Sequence, residues 1–230
     1  LAGQHNHAAI VAALLAAGAS IAAVDRECNS ALHLAAQQDA AEAAAAVLQA
    51  PRGAALLRMA NSAGHTPLHE AARCGSTRTL AALLQSSTAG DLAAASSKGL
   101  LPIHLAAKYG RAGAVKALVT FGGQAALEAV TPEGQTALHL AARYTHKNEQ
   151  ASLETLKQLL ALGADPAAAD TDGWTPLHLA ARQGRVEAAK ALVEAGAPLG
   201  AVTLSGNKTA EVMARGRGFV EVANYLHRLG

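Results

Sequence analysis

A seven-residue string, Thr175-Pro176-Leu177-His178-Leu179-Ala180-Ala181, recurs along this 230-residue chain and restricts what it can fold into. Close copies begin at Ser30 (SALHLAA), Thr66 (TPLHEAA), Leu101 (LPIHLAA) and Thr136 (TALHLAA), and a decayed one at Thr209 (TAEVMAR). Their histidines stand at 33, 69, 104, 139 and 178, in steps of 36, 35, 35 and 39 residues, and Val212 takes the same place 34 residues later. A period in this range marks stacked supersecondary units that bury their apolar sides against one another. Ser or Thr at the first place suits a helix N-cap, and Pro67, Pro102 and Pro176 suit the first helical position, where no N–H is needed. Leu and the paired alanines form a narrow apolar stripe that lets neighbouring helices approach closely. A second apolar run follows, as in residues 186–193, and ends at Gly196 in the place of a C-cap. One repeat therefore reads helix, turn, helix, then a glycine-bearing loop such as Asp170-Thr171-Asp172-Gly173.

These residues resemble the ankyrin-repeat family, and the resemblance runs over essentially the whole chain. It implies an all-α fold, an ankyrin-repeat α-solenoid of helix-turn-helix units with β-hairpin loops. About seven repeats in one domain are expected, at 1–27 (truncated), 28–63, 64–98, 99–133, 134–172, 173–206 and 207–230, the last a C-terminal cap. The resemblance also implies a curved slab whose concave face is lined by hairpins and first helices. Its repeated histidine would be structural, tying each repeat to its neighbour's backbone.

Half the residues are apolar (51%) but only 3% are aromatic, so the core is expected to sum many small contacts. The net charge of +2 is too small to argue for nucleic acid, and no long apolar run suggests a membrane span. Cys28 and Cys74 have no metal-ligand or redox spacing, which favours a reducing, intracellular and cytoplasmic setting. Zinc needs its ligand nitrogens about 2.0–2.1 Å from one ion, whereas equivalent places in stacked helix pairs lie ~10 Å apart. The repeated histidines therefore cannot share a metal. His5 and His7 are the only pair placed to flank an adventitious ion. No nucleophile elbow, P-loop or paired-carboxylate motif is present, so neither catalysis nor a cofactor is expected.

Departures from the period fall on loops. Aligned on the histidine place, Leu1-Ala2-Gly3 lie inside a first inner helix already under way, with Asn6-His7 at its turn, and the protein is expected to continue upstream. The segments Pro51–Gly64, Ser87–Gly99 and Gly122–Gly134 are longer than the standard finger, and the repeat of His139 gains six residues between its helices, in 144–152. Loops tolerate insertions and also carry binding residues, so drift and function both remain open here. Cys28 stands where Gly64, Gly99, Gly134 and Gly173 stand in other repeats, which means either a strained turn with an exposed thiol or divergence near a chain end.

Four places after the histidine come Gln4, Gln37, Arg73, Lys108, Arg143 and Arg182, with Gly216 closing the series. One place further are His5, Gln38, Cys74, Tyr109, Tyr144, Gln183 and Arg217, and four places before it are Asn29, His65, Leu100, Gln135, Trp174 and Lys208. The resemblance implies that these places face a partner. The expected site is Trp174, Arg182, Gln183, Arg143, Tyr144, Lys108, Tyr109, Arg73, His65, Leu100 and Gln135, with Trp174 as the aromatic anchor. Its cations suit an extended, acidic peptide or protein. Basic residues at a helix C-terminus also complement its dipole, so a merely solvated column is the competing reading. The expected function is non-catalytic protein recognition by a monomer. Polyanion binding, or a regulatory role in a larger enzyme or channel, are the alternatives.

Overall fold

The computed structural model describes residues 8–145 and 148–230. The expected first inner helix at Leu1–Gly3 and its turn at Asn6-His7 lie outside these residues, as do Gln4, His5 and His146. The chain forms two compact sets of residues, 1–106 with 113–126, and 107–112 with 127–230. The first set holds α1 (Ala8–Ala16), α2 (Ala31–Gln37), α3 (Ala41–Gln49), α4 (Pro67–Cys74), α5 (Thr77–Gln85) and α6 (Ala89–Leu92). Next come α7 (Pro102–Lys108), α8 (Ala112–Gly122) and α9 (Gln124–Glu128), and the second set continues with α10 (Ala137–Arg143), α11 (Glu149–Ala161), α12 (Pro176–Arg182), α13 (Val186–Glu194), α14 (Ala210–Gly216) and α15 (Val220–His227).

Within each set, inner helices pack on inner helices and outer on outer. In the first set α2 packs on α4, and α3 packs on α1 and α5; in the second α12 packs on α10 and α14, and α13 on α11 and α15. The repeated string explains this order. Leu32, Leu68, Leu138 and Leu177 and the pairs Ala35-Ala36, Ala71-Ala72, Ala141-Ala142 and Ala180-Ala181 are all buried, so the inner helices meet through methyl groups and one leucine each. From the outer helices Leu80, Leu83, Leu156, Leu159 and Leu192 close the other side of this layer.

The histidine ties each repeat together at both ring nitrogens. The Nδ1 of His33, His69, His139 and His178 accepts from the backbone N–H of Ser30, Thr66, Thr136 and Thr175 at 3.1–3.2 Å. That acceptance leaves the proton on Nε2, which donates to the carbonyl of His65, Leu100, Trp174 and Lys208 respectively at 2.8–3.0 Å. Each acceptor stands at the base of the next finger. A residue inside one helix thus fixes the backbone from which the next finger-base side chain projects.

The fingers are turns rather than strands. Among the described residues the only β pairings are the isolated bridges Val24–Ser30 and Val130–Thr136, in place of the expected β-hairpins. The physical reason is local. The Asp25 carboxylate accepts from the N–H of Glu27 and Asn29, and that of Asp170 from the N–H of Asp172 and Trp174, so each loop closes on a side chain. Successive tips are joined by single backbone bonds, Ser62 N–H to Glu27 O, Thr171 N–H to Glu133 O and Leu204 N–H to Asp172 O, at 2.9–3.1 Å.

The three long fingers do not simply project further. They hold a 3-10 helix (Gly53–Arg58), α6 and α9. Leu56, Leu57 and Leu127 from these extra turns are buried. In the first set Arg58 donates to the buried Asp91 at 2.8 Å, which joins two of them.

Cys28 adopts φ +61°, beside +71°, +70°, +77° and +78° for Gly64, Gly99, Gly134 and Gly173. The turn is conserved in shape while the residue is not, and a side chain costs about 1 kcal/mol in this left-handed region. Cys28→Gly is therefore expected to raise the unfolding free energy by up to about 1 kcal/mol. A denaturant titration showing no gain would mean that contacts of the exposed cysteine offset the strain.

Candidate partner-binding surface

The C-terminal ends of α7, α10 and α12 each carry one cation: Lys108, Arg143 and Arg182. All three belong to the second set of residues, with Tyr109, Tyr144 and Trp174. The Lys108 ammonium lies 5.8 Å from the Tyr109 ring centre and 5.0 Å from that of Tyr144, while the Arg143 guanidinium is 5.2 Å from Tyr144. The Arg182 guanidinium lies 5.0 Å over the Trp174 ring. Cations at this range are drawn to the negative face of a ring by roughly 0.5–1 kcal/mol at an exposed site. None of these three has an ion-pair partner among the described residues. Some cations elsewhere do, as in Arg78–Glu42, Lys190–Glu187 and Arg215–Glu211.

Trp174 is half-buried, and its position is tightly determined. Its N–H donates to Asp170 Oδ1 at 2.9 Å, its carbonyl accepts from His139 Nε2 at 2.9 Å, and its ring stands edge-on to His178 at 6.2 Å. The expected exposed tryptophan is therefore a ring with one side packed and one side under Arg182. Gln183 is exposed beside Arg182, whereas Gln135 turns back and donates to Asp170 at 3.0 Å.

The first set holds the remaining expected residues in a different state. Glu70 replaces the leucine of the repeated string and is buried, yet it stays charged. Burial opposes that charge, but hydrogen bonds from His65 and Arg73 outweigh it and bring the pKa down to about 2. His65 Nδ1 lies 2.7 Å from Glu70, and Arg73 donates to it at 2.6 and 3.1 Å. The column of free cations expected from spacing does not extend to Arg73, because that guanidinium answers a buried carboxylate. Leu100 is half-buried and serves through its carbonyl, which takes the bond from His69.

Sequence reasoning missed Arg185, which is buried in the second set. The six-residue insertion leaves α10 without the left-handed glycine that ends α4 (Gly75), and Tyr144 instead turns extended at φ −102°, ψ 130°. The Nη1 of Arg185 donates to the carbonyls of Ala141 and Ala142, and lies 3.5 Å from that of Tyr144. Arg185 thus caps the helix end that carries Arg143 and Tyr144. Its Nε and Nη2 have no hydrogen-bond partner among the described residues, and burial lowers its pKa, with Glu149 acting the other way. The usable signal was the coincidence of an inter-helix insertion with an arginine at the next repeat's corresponding turn. The other part of the insertion lengthens α11 to 13 residues from an Asn148 N-cap, against 9 in α13.

No described helix is long and apolar enough to cross a membrane. A family model described as ankyrin repeats (three copies) matches residues 1–94, 86–151 and 147–230.

Proposed function

Since those matches span its whole length, the chain belongs to the ankyrin-repeat family, whose repeats are generally protein–protein interaction modules, and we propose that this one binds a partner protein through Trp174, Arg182, Gln183, Arg143, Tyr144, Lys108 and Tyr109. One observation carries the reading: three cations without carboxylate partners rest on aromatic rings in the second set of residues. A guanidinium 5.0–5.2 Å from a ring centre and outside any ion pair among the described residues can offer its N–H groups to a carboxylate acceptor. Tyr, Trp and Arg are also the residue types that dominate interface energetics. Recognition, rather than catalysis, is the role assigned.

Affinity capture with the wild type beside a Trp174→Ala/Arg143→Ala/Arg182→Ala variant tests this. Proteins retained by the wild type and lost from the variant are the expected result. For such a partner, Trp174→Ala alone should weaken binding by about 2 kcal/mol, about 30-fold. An affinity unchanged by all three substitutions would remove this surface from the account. An affinity for nucleic acid that falls steeply with salt would instead favour the polyanion alternative.

A further inference from the structure

Between α12, the finger base at Lys208 and α14 lies a pocket of about 320 Å³, bounded by Trp174, Arg182, Lys208, Val212, Met213 and Arg217. All of these belong to the second set of residues. Three of the lining side chains are cations, no carboxylate lines the pocket, and none of the three has an ion-pair partner among the described residues. The remaining walls are Trp174, Val212, Met213, Gly216 and the hydroxyl-bearing Ser205. Val212, which takes the place of the repeated histidine, is 49% exposed, while Met213 is buried. The position of Lys208 is fixed from below, because its carbonyl accepts from His178 Nε2 at 3.0 Å. The Arg182 guanidinium carbon lies 5.0 Å from the centre of the Trp174 ring, and no ion pair among the described residues occupies its N–H groups.

We propose that this pocket takes an acidic segment of a partner protein, an Asp or Glu carboxylate set among Arg182, Lys208 and Arg217 with the neighbouring aliphatic side chain against Trp174, Val212 and Met213. It rests on the reading of Trp174 and Arg182 as part of a protein-binding surface, and it extends that surface to Lys208 and Arg217. Charge complementarity selects the occupant: an unpaired cationic rim attracts carboxylates, and a basic or neutral segment would leave three positive charges facing each other. A planar carboxylate matches the guanidinium edge through two parallel N–H bonds. The volume is at the small end of the roughly 300–1,000 Å³ of ligand pockets, which suits a side chain and its neighbour.

The test is a display selection of random peptides on the whole chain, followed by titration of synthetic peptides with Trp174 fluorescence as the reporter. Trp174 is the one tryptophan in the sequence, so the signal arises beside the pocket. Selected peptides are expected to carry Asp or Glu next to an aliphatic residue. Their affinity should fall at least about tenfold on replacing that acid by its amide, and likewise in Lys208→Glu and Arg217→Glu. Both variants lie at exposed positions, and an unchanged melting temperature would verify that they fold. Neutral or basic consensus peptides, or a failure to select any, would overturn the proposal. So would a phosphoserine version binding far better than the carboxylate one. Acidic peptides weakened by Lys108→Glu and Arg143→Glu but indifferent to Lys208→Glu and Arg217→Glu would remove the pocket while leaving the wider protein-binding surface standing.

Discussion

Arg185→Ala is expected to lower the unfolding free energy by about 3 kcal/mol, the largest effect of any single truncation considered. Two losses combine. The buried aliphatic stem leaves a void at the base of α13, and the carbonyls of Ala141 and Ala142 lose a charged donor at a helix end that has no glycine turn to close it. A charge-assisted hydrogen bond contributes about 1.5–3 kcal/mol, so the bonds outweigh the stem. Arg185→Met separates the terms, since it restores most of the packing and also removes the two guanidinium nitrogens that have no partner among the described residues. Chemical denaturation should rank wild type above Met above Ala. A methionine variant at least as stable as the wild type would mean that the cap contributes nothing net, as happens with some buried charges.

The second large effect is loss of stability in mild acid. His33, His69, His139 and His178 are neutral in the fold, with Nδ1 accepting and Nε2 donating, and burial is the main cause that lowers the pKa of each. For His69 the value is about 4, with His65 and His104 also lowering it and the bond to Leu100 and the Glu70 charge acting against them. A folded pKa below the unfolded one means that the unfolded chain takes up the proton first. Stability is therefore complete above about pH 6.5 and declines as pH falls, until the folded form also protonates. Between pH 7.5 and 5 His69 alone should remove about 2 kcal/mol, with the other three adding in the same direction. Glu70 is silent in this window. Its pKa of about 2 places its own loss below the ordinary carboxylate range, so a further decline should follow under pH 4.5. Urea titrations across this range are expected to show the first decline reduced in His69→Gln, whose amide can still accept from Thr66 and donate to Leu100 without titrating. A flat response between pH 7.5 and 5 would contradict the assigned tautomers.

The elements that were legible in the sequence are those governed by local rules. The capping Ser and Thr, the Pro at the first helical place and the alanine pairs each act within a few residues, and they specify the inner helices and their stacking. The turn at Cys28 was readable for the same reason, since its period places it among glycines. What spacing alone could not supply were the partners that each side chain takes. Arg73 and Arg143 stand at the same place in their repeats, yet the first meets Glu70 and the second a tyrosine ring. That difference goes with two replacements, Glu70 in the place of Leu140 one helical turn before the arginine and Cys74 in the place of Tyr144. The extra length of the three long fingers was visible in the sequence, but the burial of Leu56, Leu57 and Leu127 depends on three-dimensional neighbours. The same holds for Arg185, whose role exists only because the preceding repeat is interrupted.

Hydrogen–deuterium exchange on the whole chain, with and without a peptide selected on it, measures most directly whether the ring-backed cations form the binding surface. Protection is predicted at the C-terminal ends of α10 and α12 and at the finger bases of Trp174 and Lys208, with the outer helices α13 and α15 unchanged. Protection confined to α13 and α15, with residues 143–145, 174–175 and 182–183 exchanging as in the free protein, would contradict the account.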